Sequence, residues 1–105
     1  MNFTLDSLNK EYALQKQLFF KKLPSGIVLA QIDTPWAIAT ISLYGGQLVD
    51  WWPKHQQAPV LWVSRHSSFT LGKSIRAGVP ICWPWFGSHP TSSQRTGHGY
   101  ARFSP

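Results

Sequence analysis

Glycine and proline divide residues 17–64 into short extended runs, and this punctuation restricts the fold more than any other feature of the chain. Gln17 to Lys21 reads as a short strand, closed by the turn Lys22-Leu23-Pro24-Ser25-Gly26. Ile27 to Asp33 is rich in β-branched and apolar residues and ends at Thr34-Pro35. Trp36 to Tyr44 alternates well enough to form a hairpin with it, up to the break at Gly45-Gly46. Gln47 to Trp52 resumes extended structure until Pro53. Lys54 to Ala58 is a polar loop, and Pro59 to Ser64 is a further strand. Close-set short strands of this kind indicate an all-β, mostly antiparallel sandwich or barrel. Ahead of them, Phe3, Leu5, Leu8, Tyr12, Leu14 and Leu18 have a loosely helical spacing, with Asp6 or Ser7 as the cap of a short turn.

After Ser64 the regularity fades. Pro80, Pro84 and Pro90 remove backbone donors and fix φ, so Val79 to Phe86 is read as a rigid loop over a sheet face rather than a central strand. Loops of that kind are where binding groups concentrate. Four or five strands do not close a sandwich, so the chain is expected to be the front part of a larger domain.

Charge distribution sharpens the expectation. The net charge is +6, yet all four acids (Asp6, Glu11, Asp33 and Asp50) precede Trp51 and are balanced there by Lys10, Lys16, Lys21 and Lys22. The excess therefore lies beyond Trp51, in Lys54, Arg65, Lys73, Arg76, Arg95 and Arg102. That half either faces anions or finds its carboxylates elsewhere. Six tryptophans are too many for so small a core, so some must face a ligand or another surface. The single cysteine, Cys82, fits a reducing compartment, and the N-terminus lacks the basic start and apolar run of a signal peptide. No apolar stretch is long enough to span a bilayer, which makes a cytoplasmic setting without a membrane partner the default expectation.

Several motifs reduce to bland readings. Gly72-Lys73-Ser74 resembles the end of a phosphate-binding P-loop, but Ser67 stands where the first glycine is required, so a turn with a solvated lysine is the better reading. Cys82 with His89 and His98 matches no zinc spacing, and Cys82 in its apolar run reads as a packed core thiol. Trp51, Trp52, Trp62, Trp83, Trp85 and Phe86 interleaved with basic residues could instead form a single-stranded nucleic-acid or carbohydrate platform. The positive charges are scattered singly, however, and the strand and proline contexts of these rings favour burial.

Two segments are richer. In Ser74 to Gly87, S-I-R-A-G-V-P-I-C-W-P-W-F-G, the Arg76 guanidinium lies close to small residues and has no acid nearby in sequence, a setting for bidentate contact with an anion. In H-G-Y-A-R, His98 lies between Gly97 and Gly99, which lets the backbone turn and present the imidazole, and Arg102 follows.

Together these motifs closely resemble the bacterial glucose-6-phosphate 1-epimerases, or D-hexose-6-phosphate mutarotases, of the aldose 1-epimerase superfamily. G-G-Q-L-V-D-W-W-P and P-V-L-W-V-S also fit that family's N-terminal strands, and the likeness runs from about Gly26 to Arg102. It implies a galactose-mutarotase-like β-supersandwich, a fold of on the order of 250 residues or more, of which this chain supplies the N-terminal strands. On that basis residues 1–105 form the N-terminal portion of one domain: a lead-in over 1–16, strands over 17–64 and substrate-binding loops over 65–105. The resemblance further implies interconversion of the α and β anomers of a hexose 6-phosphate without metal or organic cofactor. It assigns Arg76, His98 and Arg102 to the binding of a sugar phosphate. In the family a glutamate base and a histidine acid come from later in the chain, so this chain is expected to bind sugar phosphate weakly if at all and not to catalyse. Ala77 replaces the family's usual glycine, which matters only if that position needs positive φ.

Overall fold

The computed structural model describes residues 3–65 and 67–105, so the first two residues of the expected lead-in lie outside the described residues. One helix, α1 (Leu5–Tyr12), precedes four strands: β1 (Leu18–Lys22), β2 (Val28–Asp33), β3 (Ala37–Ser42) and β4 (Gln47–Pro53). They form a single sheet in chain order with every neighbour antiparallel. A 3-10 turn, Ala101–Phe103, lies near the C-terminus.

The cap of α1 is Thr4, rather than Asp6 or Ser7. Thr4 Oγ1 accepts the Ser7 amide at 3.0 Å, and Ser7 Oγ accepts the Thr4 amide at 3.1 Å, a reciprocal capping box. Asn9 then fastens the helix to β1. Its Nδ2 donates to the Phe20 carbonyl at 3.0 Å, and its Oδ1 accepts the Phe20 amide at 2.8 Å. These bonds satisfy backbone groups on an edge strand that would otherwise be free to pair with another chain.

The expected breaks fall where strands turn. Gly26 (φ 96°) closes β1–β2, and Thr34 Oγ1 accepts the amides of Trp36 and Ala37 in the β2–β3 turn. Gly45 and Gly46, at φ 80° and 57°, link β3 to β4. A bulge between Thr40 and Ile41 shifts the β3–β4 register.

One expected strand does not form. Pro59 to Ser64 makes only an isolated bridge, Val63 to Ala77. The partnering segment contains Gly78 in a left-handed conformation and then Pro80, so no ladder can propagate along it.

The buried cluster is Ile27, Leu29, Tyr44, Val49, Ile75 and Ala77, with Leu23, Phe69 and Phe103 packed against it. The sheet thus buries one face beneath residues 69–77 and the C-terminal turn. Burying the Ile75 side chain contributes roughly 2 kcal/mol and fixes the segment that carries Arg76. No helix among the described residues is long and apolar enough to cross a membrane.

Candidate functional site

Arg76 is held by its neighbours. Ile75 and Ala77 point into the core, so alternation along the extended segment leaves the Arg76 side chain exposed on the opposite side. Gln47 locks this arrangement from β4. Its buried Nε2 donates to the carbonyls of Ile75 and Ala77, at 3.1 and 2.5 Å. The Arg76 amide donates to Ser67 Oγ at 3.1 Å, and its carbonyl accepts the Ser64 amide at 3.0 Å. Gly78 follows at φ 58°, where a Cβ would lie 1.9 Å from the Leu48 carbonyl oxygen. The backbone therefore meets β4 at a distance only glycine allows. Ala77 has no positive φ, so its methyl is accommodated in the core and the departure from the family glycine introduces no strain.

Gln47 was not singled out in the sequence. The available signal was parity: Gln47 and Val49 share the buried phase of β4, so a polar side chain stands at a core position. A buried amide there must find partners, and it finds the segment flanking Arg76.

His98 is fixed by a two-way bond with Gly87. The Gly87 amide donates to His98 Nδ1 at 2.9 Å, and the His98 amide donates to the Gly87 carbonyl at 2.7 Å. With Nδ1 accepting, the neutral imidazole carries its proton on Nε2. His98 itself has φ 64°, an uncommon conformation for a residue with a side chain. Next to it, Gly99 lies so close to Trp83 that a Cβ would come within 1.9 Å of the Trp83 carbonyl oxygen. That oxygen accepts the amides of Tyr100 and Ala101, at 2.9 and 3.2 Å. The polar loop between the two motifs is thereby closed at its base.

Arg102 lies on the 3-10 turn. Its Nη2 donates to the Gly97 carbonyl at 2.7 Å, and its Cζ stands 5.0 Å from the Phe103 ring centroid. Its Nε is buried with no hydrogen-bond partner among the described residues. The turn is seated on the sheet by the Gly45 amide, which donates to the Ser104 carbonyl at 2.6 Å. A side chain at Gly45 would strike the Arg102 carbonyl oxygen at 2.8 Å.

Arg76, His98 and Arg102 line one cavity of about 650 Å³, together with Trp62, Cys82 and Phe86. That volume lies in the range of small-molecule sites, about 300–1,000 Å³. The Phe86 and His98 rings are 5.0 Å apart, which makes one side of the cavity aromatic. No Asp or Glu lines it, and among the described residues the ion pair found is Lys54 with Asp33, at 2.6 Å. The two arginines thus line a cavity that has no acidic side chain in its wall.

Two sequence expectations are corrected here. Cys82 is half-buried on the cavity wall and is not part of the core. Nor are the aromatics buried: Trp62, Trp83 and Phe86 are 73%, 62% and 82% exposed. Pro80 and Pro84 stiffen the loop over the sheet without turning its rings inward.

The sequence profile of the aldose 1-epimerase family matches residues 30–104, and the chain belongs to that family. It is 42% identical over 78 residues to proteins of Escherichia coli and Salmonella typhimurium provisionally named glucose-6-phosphate 1-epimerase. Those matches cover 73% of this chain and 26% of each relative, so the chain spans about a quarter of their length. A crystal structure of a Salmonella typhimurium protein, YeaD, provisionally described as a mutarotase, superposes with a TM-score of 0.80 at 37% identity, over 88% of this chain and 30% of that one. The antiparallel sheet is accordingly part of the mutarotase fold.

Proposed function

We propose that this chain forms the sugar-phosphate-binding part of a hexose-6-phosphate mutarotase acting on glucose 6-phosphate or a related aldohexose 6-phosphate. The observation that carries the reading is the convergence of Arg76, His98 and Arg102 on one cavity free of acidic side chains. Mutarotation requires a base to take the proton from O1 and an acid to protonate the ring oxygen. The ring opens, the C1–C2 bond rotates, and the ring closes on the other face. In this scheme the arginines neutralise the phosphate, His98 Nε2–H donates to a sugar oxygen, and the Phe86 and Trp62 rings cover the apolar face of the pyranose.

The described cavity offers no carboxylate to act on O1. In this reading His98 donates and a separate base is required for O1, so the chain by itself binds sugar phosphate weakly and leaves anomer exchange near its spontaneous rate. What the resemblance implies supports this reading: in such enzymes a glutamate base and a histidine acid come from later in the chain. The chain would then be the N-terminal portion of one mutarotase-like domain, with its binding loops over 65–105.

Titration with glucose 6-phosphate, followed by NMR, tests the reading. Saturable shifts at Arg76, His98 and Arg102 are expected, with anomer exchange unchanged. Absence of saturable shifts, or tighter and strongly salt-dependent binding to a single-stranded oligonucleotide, would overturn it.

A further inference from the structure

The loop between the two motifs, Ser88 to Gly97, has no large apolar side chain of its own, yet it folds around an aromatic residue that precedes it. At the start of the loop the Trp85 and His89 rings meet edge-on, with centroids 4.6 Å apart. At its end Trp85 Nε1 donates to the Thr96 carbonyl at 2.9 Å. His89 supplies the internal fastening: its Nδ1 accepts the amides of Thr91 and Ser92, at 3.1 and 3.0 Å. We infer that His89 is a positioning residue for the substrate site, that it acts through Trp85 and the Thr96-Gly97 backbone on His98 and Arg102, and that it does so only as a neutral imidazole. The inference rests on the sugar-phosphate reading above and adds to it a residue that touches no substrate.

The connection runs contact by contact. A short polar loop buries little apolar surface, so its shape depends on its hydrogen bonds. The His89 imidazole does here what the side-chain oxygen of Asn or Asp does in an Asx turn, accepting amides two and three residues further on. Pro90 has no amide hydrogen, which leaves Thr91 and Ser92 as the first donors able to bond back. With that turn formed, the His89 ring lies against Trp85, and Trp85 holds Thr96. The next residue is Gly97, whose carbonyl accepts Arg102 Nη2 at 2.7 Å, and after it comes His98. Tyr100 lies against the same indole, with centroids 6.0 Å apart. Two of the three site residues therefore depend on where the end of this loop lies.

Nδ1 can accept only while it carries no proton. An imidazolium would aim an N–H at two amide donors, so the ring would have to leave the turn, and with it the Trp85 contact. The groups around His89 are few. From its own loop, Arg95 and the hydroxyls of Thr91, Ser92 and Ser93 line the same cavity of about 500 Å³. From the preceding segment comes the Trp85 indole, which does not titrate, with the Tyr100 phenol beyond it. No acidic side chain lines that cavity among the described residues, so no carboxylate there pairs with an imidazolium in the turn. The positioning is thus present at high pH and lost as pH falls through the range where imidazoles take up protons, about pH 8 to 5.

NMR titration of the 105-residue chain with glucose 6-phosphate, at about pH 8 and about pH 5.5, tests this. Asn followed by Pro is a favourable turn pair, so His89→Asn keeps an acceptor for the two amides and cannot be protonated. At the higher pH His89→Asn is expected to bind within about twofold of the parent, and His89→Ala about fivefold more weakly. On acidification the parent is expected to lose about fourfold relative to His89→Asn. Titration of the ligand phosphate and of His98 is common to both proteins, so this ratio isolates His89. Without ligand, the Trp85 indole and Gly97 amide signals should move in His89→Ala, and in the parent at low pH, while the sheet signals stay in place. A general loss of stability would move the sheet signals as well. If His89→Ala binds as the parent does, or if the ratio of parent to His89→Asn is the same at both pH values, His89 does not position the site and the sugar-phosphate reading stands. If the parent binds no glucose 6-phosphate at either pH, that reading fails and the positioning role fails with it.

Discussion

Gly87 and His98 exchange two hydrogen bonds, amide to Nδ1 at 2.9 Å and amide to carbonyl at 2.7 Å, and so join the end of the Ser74 to Gly87 segment to the start of H-G-Y-A-R. The pairing fixes the imidazole at both its backbone and its ring. It also leaves Nε2 as the one ring nitrogen available to the cavity.

Replacing His98 separates these roles. Asparagine tolerates the left-handed backbone and places Oδ1 near the position of Nδ1, so His98→Asn retains an acceptor for Gly87 while removing Nε2. Its unfolding free energy should stay within about 1 kcal/mol of the parent. Affinity for glucose 6-phosphate should fall about fivefold, the loss of one neutral hydrogen bond. His98→Ala should lose both affinity and stability, because it keeps the unfavourable φ and leaves the Gly87 amide unpaired. Urea denaturation and titration of the two variants decide whether Nε2 contributes to binding.

Gln47→Leu should affect a site that Gln47 does not line. The substitution leaves the Ile75 and Ala77 carbonyls without their side-chain donor in a buried setting, at a cost of ~2–4 kcal/mol for the pair. Because those residues flank Arg76, its orientation loosens and ligand affinity falls with stability. Denaturant titration should show the loss even without ligand. Unchanged stability would mean that these carbonyls are satisfied in another way.

Glycine positions should respond unequally to alanine. At Gly78 a methyl meets the Leu48 and Val49 carbonyl oxygens at 1.9 and 2.8 Å, and β4 cannot yield without breaking its pairing. Gly78→Ala is expected to lose at least ~3 kcal/mol. At Gly72 no atom lies within 4 Å of the added methyl, and only the left-handed φ of 84° opposes it. Gly72→Ala should therefore lose ~1–2 kcal/mol. Thermal melts of the two variants, compared side by side, check the ordering.

The sheet was legible because its signals are local. Pro24-Ser25-Gly26, Thr34-Pro35 and Gly45-Gly46 each lie at a strand end, and strands joined by such short turns pair with their neighbours. Pro59 to Ser64 misled because its own composition suits a strand, whereas strand formation depends on a partner, and Gly78 and Pro80 disrupt that partner. The three residues named for the site do line one cavity, and small flanking residues in both motifs had pointed to them. Gln47 stayed hidden for a physical reason. Its hydrogen bonds reach carbonyls about thirty positions away, at Ile75 and Ala77, and no short window of sequence joins them.

Arg102→Lys gives the sharpest check on how the cationic groups are used. Lysine preserves the charge, so a site that only attracts anions would lose little. Arg102, however, uses one nitrogen on the Gly97 carbonyl, lies over the Phe103 ring, and holds Nε within the protein. A single ammonium cannot bond Gly97 and a phosphate oxygen in the same fixed geometry, nor can it reproduce the planar contact with Phe103. Arg102→Lys should therefore weaken glucose 6-phosphate about tenfold at constant salt. Arg76 differs: its side chain is exposed, and its backbone rather than its guanidinium is tied to the fold. Arg76→Lys should lose only about threefold, because a flexible ammonium on an exposed stem still reaches the anion. Titrating both variants at two salt concentrations distinguishes charge from geometry. Because lysine keeps the charge, salt should weaken parent and variants alike, so the Arg102→Lys deficit should persist at the higher salt and the smaller Arg76→Lys deficit should stay small. Equally small losses at both positions would show that the site attracts phosphate without gripping it.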